Sequence, residues 1–166
     1  MEKMKKLFVL AVAMLFVVSI AFAVNLDKPE RAHKGVAEHL YLLEKDSSDW
    51  SVVENGSWGK LTYLPDKYVF NGHMLVPYEE YALISYIEPE GWPAEVTVQE
   101  TGYADEYGDV HIMGDGLELE CNDYDGVGGA KIWLVPTSDL TGDYFNTWDP
   151  DSYLFEAELL ACEFEE

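Results

Sequence analysis

Residues 81–93, which read Tyr-Ala-Leu-Ile-Ser-Tyr-Ile-Glu-Pro-Glu-Gly-Trp-Pro, decide the fold. The first part, Tyr81–Ile87, is apolar on both alternating faces, which is typical of a strand in the interior of a sheet. The second part, Glu88–Pro93, holds two prolines and a glycine, which end a strand and favour a tight loop. The stretch therefore predicts a buried central strand followed by a loop that carries Trp92.

Shorter segments on both sides of this strand alternate between apolar and polar residues and are separated by Gly, Pro, Asn and Asp. About eight or nine such strands predict an all-β fold, an antiparallel β-sandwich of the immunoglobulin-like or Greek-key type. We place this single domain in residues 36–166, with Ala130–Val135 as a second interior strand. The last segment, Tyr153–Phe164, suits a strand or a helix, and its alternation favours a strand.

The N-terminus has the pattern of an export signal. Met1–Lys6 is basic, Leu7–Phe22 is almost entirely apolar, and Ala21 and Ala23 supply the small residues before a cleavage site. An uncleaved membrane anchor is the alternative, but the apolar run is barely long enough and no basic cluster follows it. We predict a signal peptide at 1–23, a flexible leader at 24–35, and a secreted or cell-surface protein that is not inserted in the membrane after cleavage.

The chain is strongly acidic, with 10 basic and 32 acidic residues and a formal net charge of −22. Removal of residues 1–23 takes away three lysines and one glutamate, which leaves 7 basic and 31 acidic residues and a net charge of −24. Such a surface repels phosphates, so we expect neither nucleic acid nor an anionic membrane as a partner. It favours solubility, cation binding or a setting of high salt.

Two covalent features are predicted. Cys121 and Cys162 form an even pair in an exported chain, which favours a disulfide over two buried free thiols. Asn55-Gly56-Ser57 is a glycosylation sequence in a hairpin-turn signal, so Asn55 is either a glycosylated loop residue or a chance match.

Metal sites are weakly indicated. Asp123 and Asp125 alternate before a glycine and suit calcium, although a solvated acidic turn has the same composition. Three histidines on predicted strands, His39, His73 and His111, could meet at a metal, but no pair has a ligand spacing. No other cofactor is expected.

No catalytic motif is present, and no carboxylate pair stands out among so many acidic residues. Trp92 and Trp148 lie in predicted loops, where exposed rings stack on sugars. We therefore expect a secreted or cell-surface interaction or structural domain without catalytic activity. A carbohydrate- or calcium-dependent binding module is the first alternative, and a secreted hydrolase is the second.

Several segments carry a resemblance when they are taken together. They are His39-Leu40-Tyr41, Glu44-Lys45-Asp46, Trp58–Tyr63, Phe70–His73, Tyr81–Ile84 with its Pro-Trp-Pro-type loop, Gly108–Ile112, Gly129–Val135 and Tyr153–Glu156. In that order they resemble a group of exported archaeal proteins, mainly of methanogens, whose function is not characterised. The resemblance implies an extracellular or cell-surface setting and gives no catalytic residues to carry over. The sequence does not identify the partner, which we expect to be a protein or a cell-surface glycan.

Overall fold

The computed structural model describes residues 37–86, 91–119 and 129–160. The predicted signal peptide (1–23) and leader (24–35) lie outside these ranges. Ten strands and two short 3₁₀ turns make up the secondary structure of the described ranges, and no helix there is long and apolar enough to cross a membrane. The strands are β1 Glu38–Glu44, β2 Trp58–Leu64, β3 Lys67–His73, β4 Glu80–Tyr86, β5 Val96–Tyr103, β6 Val110–Gly114, β7 Lys131–Pro136, β8 Leu140–Thr141, β9 Tyr144–Phe145 and β10 Leu154–Glu156.

Eight of the strands form one sheet in the order β5-β4-β7-β10-β1-β2-β3-β6, and every neighbouring pair is antiparallel. The two end strands, β5 and β6, also lie against each other. At Gly102 on β5, an added Cβ would be only 2.9 Å from Ile112 Cγ1 and 3.3 Å from the carbonyl oxygen of His111 on β6. The sheet is therefore nearly closed as a barrel, with a seam between β5 and β6.

The all-β, antiparallel class is confirmed, but the arrangement differs from the expected two-sheet sandwich. The first described strand pairs with the last, in the register Leu42↔Glu156 and Leu43↔Phe155. This pairing joins what would have been two sheets into one continuous sheet, and its curvature brings β5 and β6 together. Alternation within each strand reveals which residues are buried, but not which distant strands pair.

β4 is the buried interior strand that the sequence predicts. It lies between β5 and β7, and Ala82, Leu83, Ile84 and Ser85 have no exposed surface. β7 is similarly buried, as expected. Interior strands covered on both faces are apolar on both, because each face packs against a different part of the core.

The C-terminal segment is a strand, in agreement with its alternation, but β10 is shorter than predicted. It ends at Glu156 and is followed by an isolated bridge between Ala130 and Leu160. Residues 161–166 lie outside the described ranges.

Two apolar cores result from the two faces of the sheet. The barrel interior holds one core, to which every long strand except β5 contributes a buried residue. The second core lies on the outer face of β4, β7 and β10. The segment that joins β7 to β10 covers it; we call residues 137–153 the strap, which comprises the β8–β9 hairpin and the two 3₁₀ turns.

Candidate functional site

Exposed tryptophans surround the second core. We call this surface the aromatic face, and it combines three exposed rings with the buried rings they contact. The exposed rings are Trp50, Trp92 and Trp148, with 51%, 56% and 42% of their surface accessible, and the buried rings are Trp133, Phe145, Tyr153 and Phe155.

Phe145 is the centre of the aromatic face and has no exposed surface. Trp92 stacks on it with a centroid separation of 6.0 Å and an interplanar angle of 19°. Trp148 meets it edge-on at 5.8 Å and 82°. One buried ring therefore sets the positions of two exposed rings that lie 56 residues apart in the chain.

Trp133 and Phe155 extend this arrangement along the sheet. Trp133 lies 5.8 Å from Trp148 and 5.1 Å from Phe155. Trp50 meets Phe155 edge-on at 5.3 Å. Edge-to-face and offset contacts of this kind are the favoured geometries of aromatic pairs, so the three exposed rings rest on a rigid aromatic base.

Backbone hydrogen bonds connect the strap to the loop that carries Trp92. The N–H of Phe145 donates to the carbonyl of Ala94 at 2.9 Å, and the N–H of Val96 donates to that of Asp143 at 2.8 Å. These bonds join the backbone just after Trp92 to the backbone at and just before Phe145, so they keep the two rings close to each other.

A buried polar group stabilises the strap beneath Trp148. The Tyr153 hydroxyl donates to Asp139 Oδ2 at 2.7 Å and accepts from the N–H of Asp149 at 3.1 Å. Burial raises the pKa of Tyr153, and the Asp139 carboxylate raises it further, so this hydroxyl remains a donor throughout the physiological range. The carbonyl of Asp139 also accepts from the N–H of Asn146 at 2.9 Å.

Exposed polar side chains border the aromatic face along the strap. Asn146, Thr147 and Asp149 are all exposed and lie within three residues of Trp148. Asn146 Nδ2 donates to Thr141 Oγ1 at 2.8 Å, and Ser152 Oγ donates to Asp149 Oδ2 at 2.7 Å. Flat apolar rings beside amide, hydroxyl and carboxylate groups form a surface suited to a ligand with both apolar and hydroxyl faces.

The structure brings together the two tryptophans that the sequence singled out, Trp92 and Trp148, at the aromatic face. It also adds Trp50, one of the five tryptophans of the chain, which the sequence places at the start of a short extended piece and does not mark as a loop residue. The available signal was its position beside the polar turn 46–49, where a large aromatic residue has no core to fill. In the structure the N–H of Ser47 donates to Asp151 Oδ1 at 3.2 Å, which connects this turn to the strap.

The three predicted strand histidines lie in the sheet, but each has its own local partner. His39 bonds to Thr62 at 3.1 Å, His73 to Asp109 at 2.8 Å and His111 to Asn71 at 2.8 Å. Within the described ranges no three His, Cys, Asp or Glu side chains are grouped so as to hold a metal ion.

Other predicted residues have different outcomes. Asn55 is exposed in a turn, as expected of a glycosylation acceptor. Cys121 and Cys162, and the calcium candidates Asp123 and Asp125, lie outside the described residues, so the disulfide and the calcium site stay predictions.

Comparisons of the chain with protein-family models, with curated proteins and with solved structures find no match.

Proposed function

We propose that the chain is an exported interaction domain without catalytic activity, which binds its partner through the aromatic face. The observation that carries this proposal is the convergence of Trp92 and Trp148 on Phe145. Large aromatic rings kept exposed on a rigid base do not serve the core, and they are the side chains that dominate binding energies at interfaces.

An uncharged carbohydrate is the ligand class that fits this face best. The exposed indoles offer flat apolar surfaces, and Asn146, Thr147 and Asp149 offer hydrogen-bonding groups beside them. The net charge of −22 disfavours anionic glycans, because like charges would approach each other at the surface. A protein partner is the competing ligand class.

Export rests on the N-terminal pattern and on the resemblance to exported archaeal proteins. A chain with residues 1–23 as a signal peptide would reach the cell surface or the medium, where glycans are abundant. Mass spectrometry of the secreted protein should give an N-terminus near Val24, and an intact Met1 would contradict export by cleavage.

The binding proposal is tested by titrating the mature protein with a panel of neutral polysaccharides while following tryptophan fluorescence. Trp92→Ala and Trp148→Ala should each weaken binding about tenfold or more, since loss of a central aromatic hot spot typically costs about 2 kcal/mol or more. Tyr107→Ala is the control, because Tyr107 is an aromatic residue with 76% of its surface accessible that belongs neither to the aromatic face nor to its polar border.

The control should bind as the unchanged protein does. Equal losses in all three variants would contradict a specific role for the aromatic face. Failure of every neutral glycan, together with capture of a protein that the Trp92 and Trp148 variants lose, would favour the protein partner instead.

A further inference from the structure

A second feature, separate from the aromatic face, is a groove of about 440 Å³ beside the turn 53–56. Its apolar walls are Leu43, Val52, Trp58 and Met74, and its rim is the sequence Asn55-Gly56-Ser57. Val52 and Met74 are 54% and 58% exposed. The groove has the size of small-ligand sites and is open to solvent along its apolar side.

The turn holds Asn55 at the rim of this groove. The N–H of Gly56 donates to the carbonyl of Val53 at 3.2 Å, and Asn55 has a left-handed backbone with φ of 58°. Asparagine tolerates this conformation better than most residues. Its side chain is exposed, so its amide nitrogen is accessible.

Ser57 fixes the rest of the rim to the groove. Its N–H donates to Glu44 Oε2 at 2.6 Å, and its hydroxyl donates to the carbonyl of Met74 at 2.7 Å. The acceptor sequence is thus connected to the strand on one side of the groove and to a wall residue on the other. A group attached to Asn55 would start at the rim of the groove that Val52, Trp58 and Met74 line.

We propose that Asn55 carries an N-linked glycan whose first sugar occupies this groove. The donor is a lipid-linked oligosaccharide phosphate or diphosphate. Asn55 Nδ2 forms a bond to C1 of the first sugar and loses one proton, the bond from C1 to the phosphate oxygen breaks, and the lipid phosphate leaves with the bonding electrons. The transfer occurs during export, before the Ser57 hydroxyl is bonded to Met74.

Tethering decides which molecule occupies the groove. A sugar on Asn55 is confined within a few ångströms of the groove, which gives it a high effective concentration there without any intrinsic affinity. Its apolar ring face and the methyl of an N-acetyl group would cover Val52 and Met74 and remove their apolar surface from water. The glycan would therefore shield Val52 and Met74 from solvent and from reagents dissolved in it.

Met74 and Met113 make the proposal measurable, because they have nearly the same exposure, 58% and 59%, and only Met74 lines the groove. The protein would be secreted from yeast, treated with hydrogen peroxide, and mapped for methionine sulfoxide. Three forms are compared: glycosylated, trimmed by an endoglycosidase to the first N-acetylglucosamine, and fully deglycosylated by an amidase.

We expect a glycan mass at Asn55 that is absent from Asn55→Gln and Ser57→Ala. We also expect Met74 to oxidise severalfold more slowly than Met113 in the first two forms and at a similar rate in the third. Absence of the glycan mass in the secreted protein would overturn the modification, and a glycan that leaves the Met74 to Met113 ratio unchanged would overturn its position in the groove.

Asp46→Asn in the Asn55→Gln background is a matched control. It completes a new acceptor sequence at positions 46–48, on an exposed turn whose hydrogen bonds from Ser48 an asparagine oxygen can still accept. Glycan at this position should leave Met74 as reactive as in the unglycosylated protein. Equal protection from this glycan would show general shielding and would overturn the specific seat in the groove.

Discussion

Glu156, the last residue of β10, has an unusual environment for a carboxyl group. Burial raises its pKa to about 7, although the positive charges of Lys45 and Lys131 lower it in part. Lys45 Nζ donates to the carbonyl of Glu156 at 3.1 Å rather than to its carboxylate. Glu156 Oε2 and Trp133 Nε1 are both buried and lack a hydrogen-bond partner. The carboxyl is thus neutral below its raised pKa and charged, with little compensation, above it.

Replacing Glu156 by glutamine should stabilise the protein at alkaline pH. The folded chain holds this proton more tightly than the unfolded chain, so the free energy of unfolding falls as the pH rises from the ordinary pKa of 4.5 to about 7. Glu156→Gln removes the buried charge and should raise the free energy of unfolding near pH 8 by about 1–3 kcal/mol. Urea unfolding near pH 5 and near pH 8 measures the difference.

Glu158→Gln is the matched control, since Glu158 is two residues away and exposed. It makes the same change in net charge and should have a similar, small effect at both pH values. An effect of Glu156→Gln that is equal at the two pH values would contradict a raised pKa.

The barrel seam depends on a side chain as well as on strands. Gln99 on β5 donates from Nε2 to the carbonyl of Glu118 at 2.7 Å and accepts from the N–H of Glu118 at 2.8 Å. Through these two bonds the Gln99 amide pairs with the backbone of Glu118, as the backbone of a neighbouring strand would. Leu117 and Leu119, on either side of Glu118, pack against the interior core.

Gln99→Ala should weaken this connection. Loss of two hydrogen bonds at a partly exposed position should lower the free energy of unfolding by about 1–2 kcal/mol. Amide hydrogen exchange at Glu118 should accelerate by more than global unfolding explains. Thr101→Ala, an exposed change on the same strand, is the control, and equal effects of the two substitutions would mean that the seam does not depend on Gln99.

The strands that the local sequence pattern predicts are those that are buried on both faces. β4 and β7 are predictable because Tyr81–Ile87 and Ala130–Val135 are apolar on both faces. Barrel closure is not, because it depends on the pairing of β1 with β10, whose partners Leu42 and Glu156 are separated by most of the described chain. Loop residues such as Trp92 and Trp148 can be predicted to be exposed, but only the packing around Phe145 brings them together.

At the scale of the whole molecule, the predicted disulfide would connect two parts of the barrel. Leu119 and Leu160 pack against one interior core, and each lies two residues before a cysteine, Cys121 or Cys162.

Non-reducing peptide mapping of the secreted protein should find one peptide pair that joins Cys121 to Cys162. Reduction should lower the free energy of unfolding by roughly 4 kcal/mol, the chain-entropy value for a loop of about 40 residues. Cys162→Ser should reproduce the loss without reductant. Two thiols that react with an alkylating reagent in the native protein would rule out the disulfide.

The strap begins after β7 and ends before β10, and these two strands are direct neighbours in the sheet. The strap also bonds to the start of β5, and these bonds, between Phe145 and Ala94 and between Asp143 and Val96, use backbone atoms. Exposed side chains of the strap, such as Asn146, Thr147 and Trp148, could therefore change during evolution, or be replaced by design, while Phe145, Tyr153 and the barrel interior keep their sequence. The barrel and the buried part of the strap would then serve as a frame, and libraries built at the exposed positions 146–149 would test how many new specificities it can display.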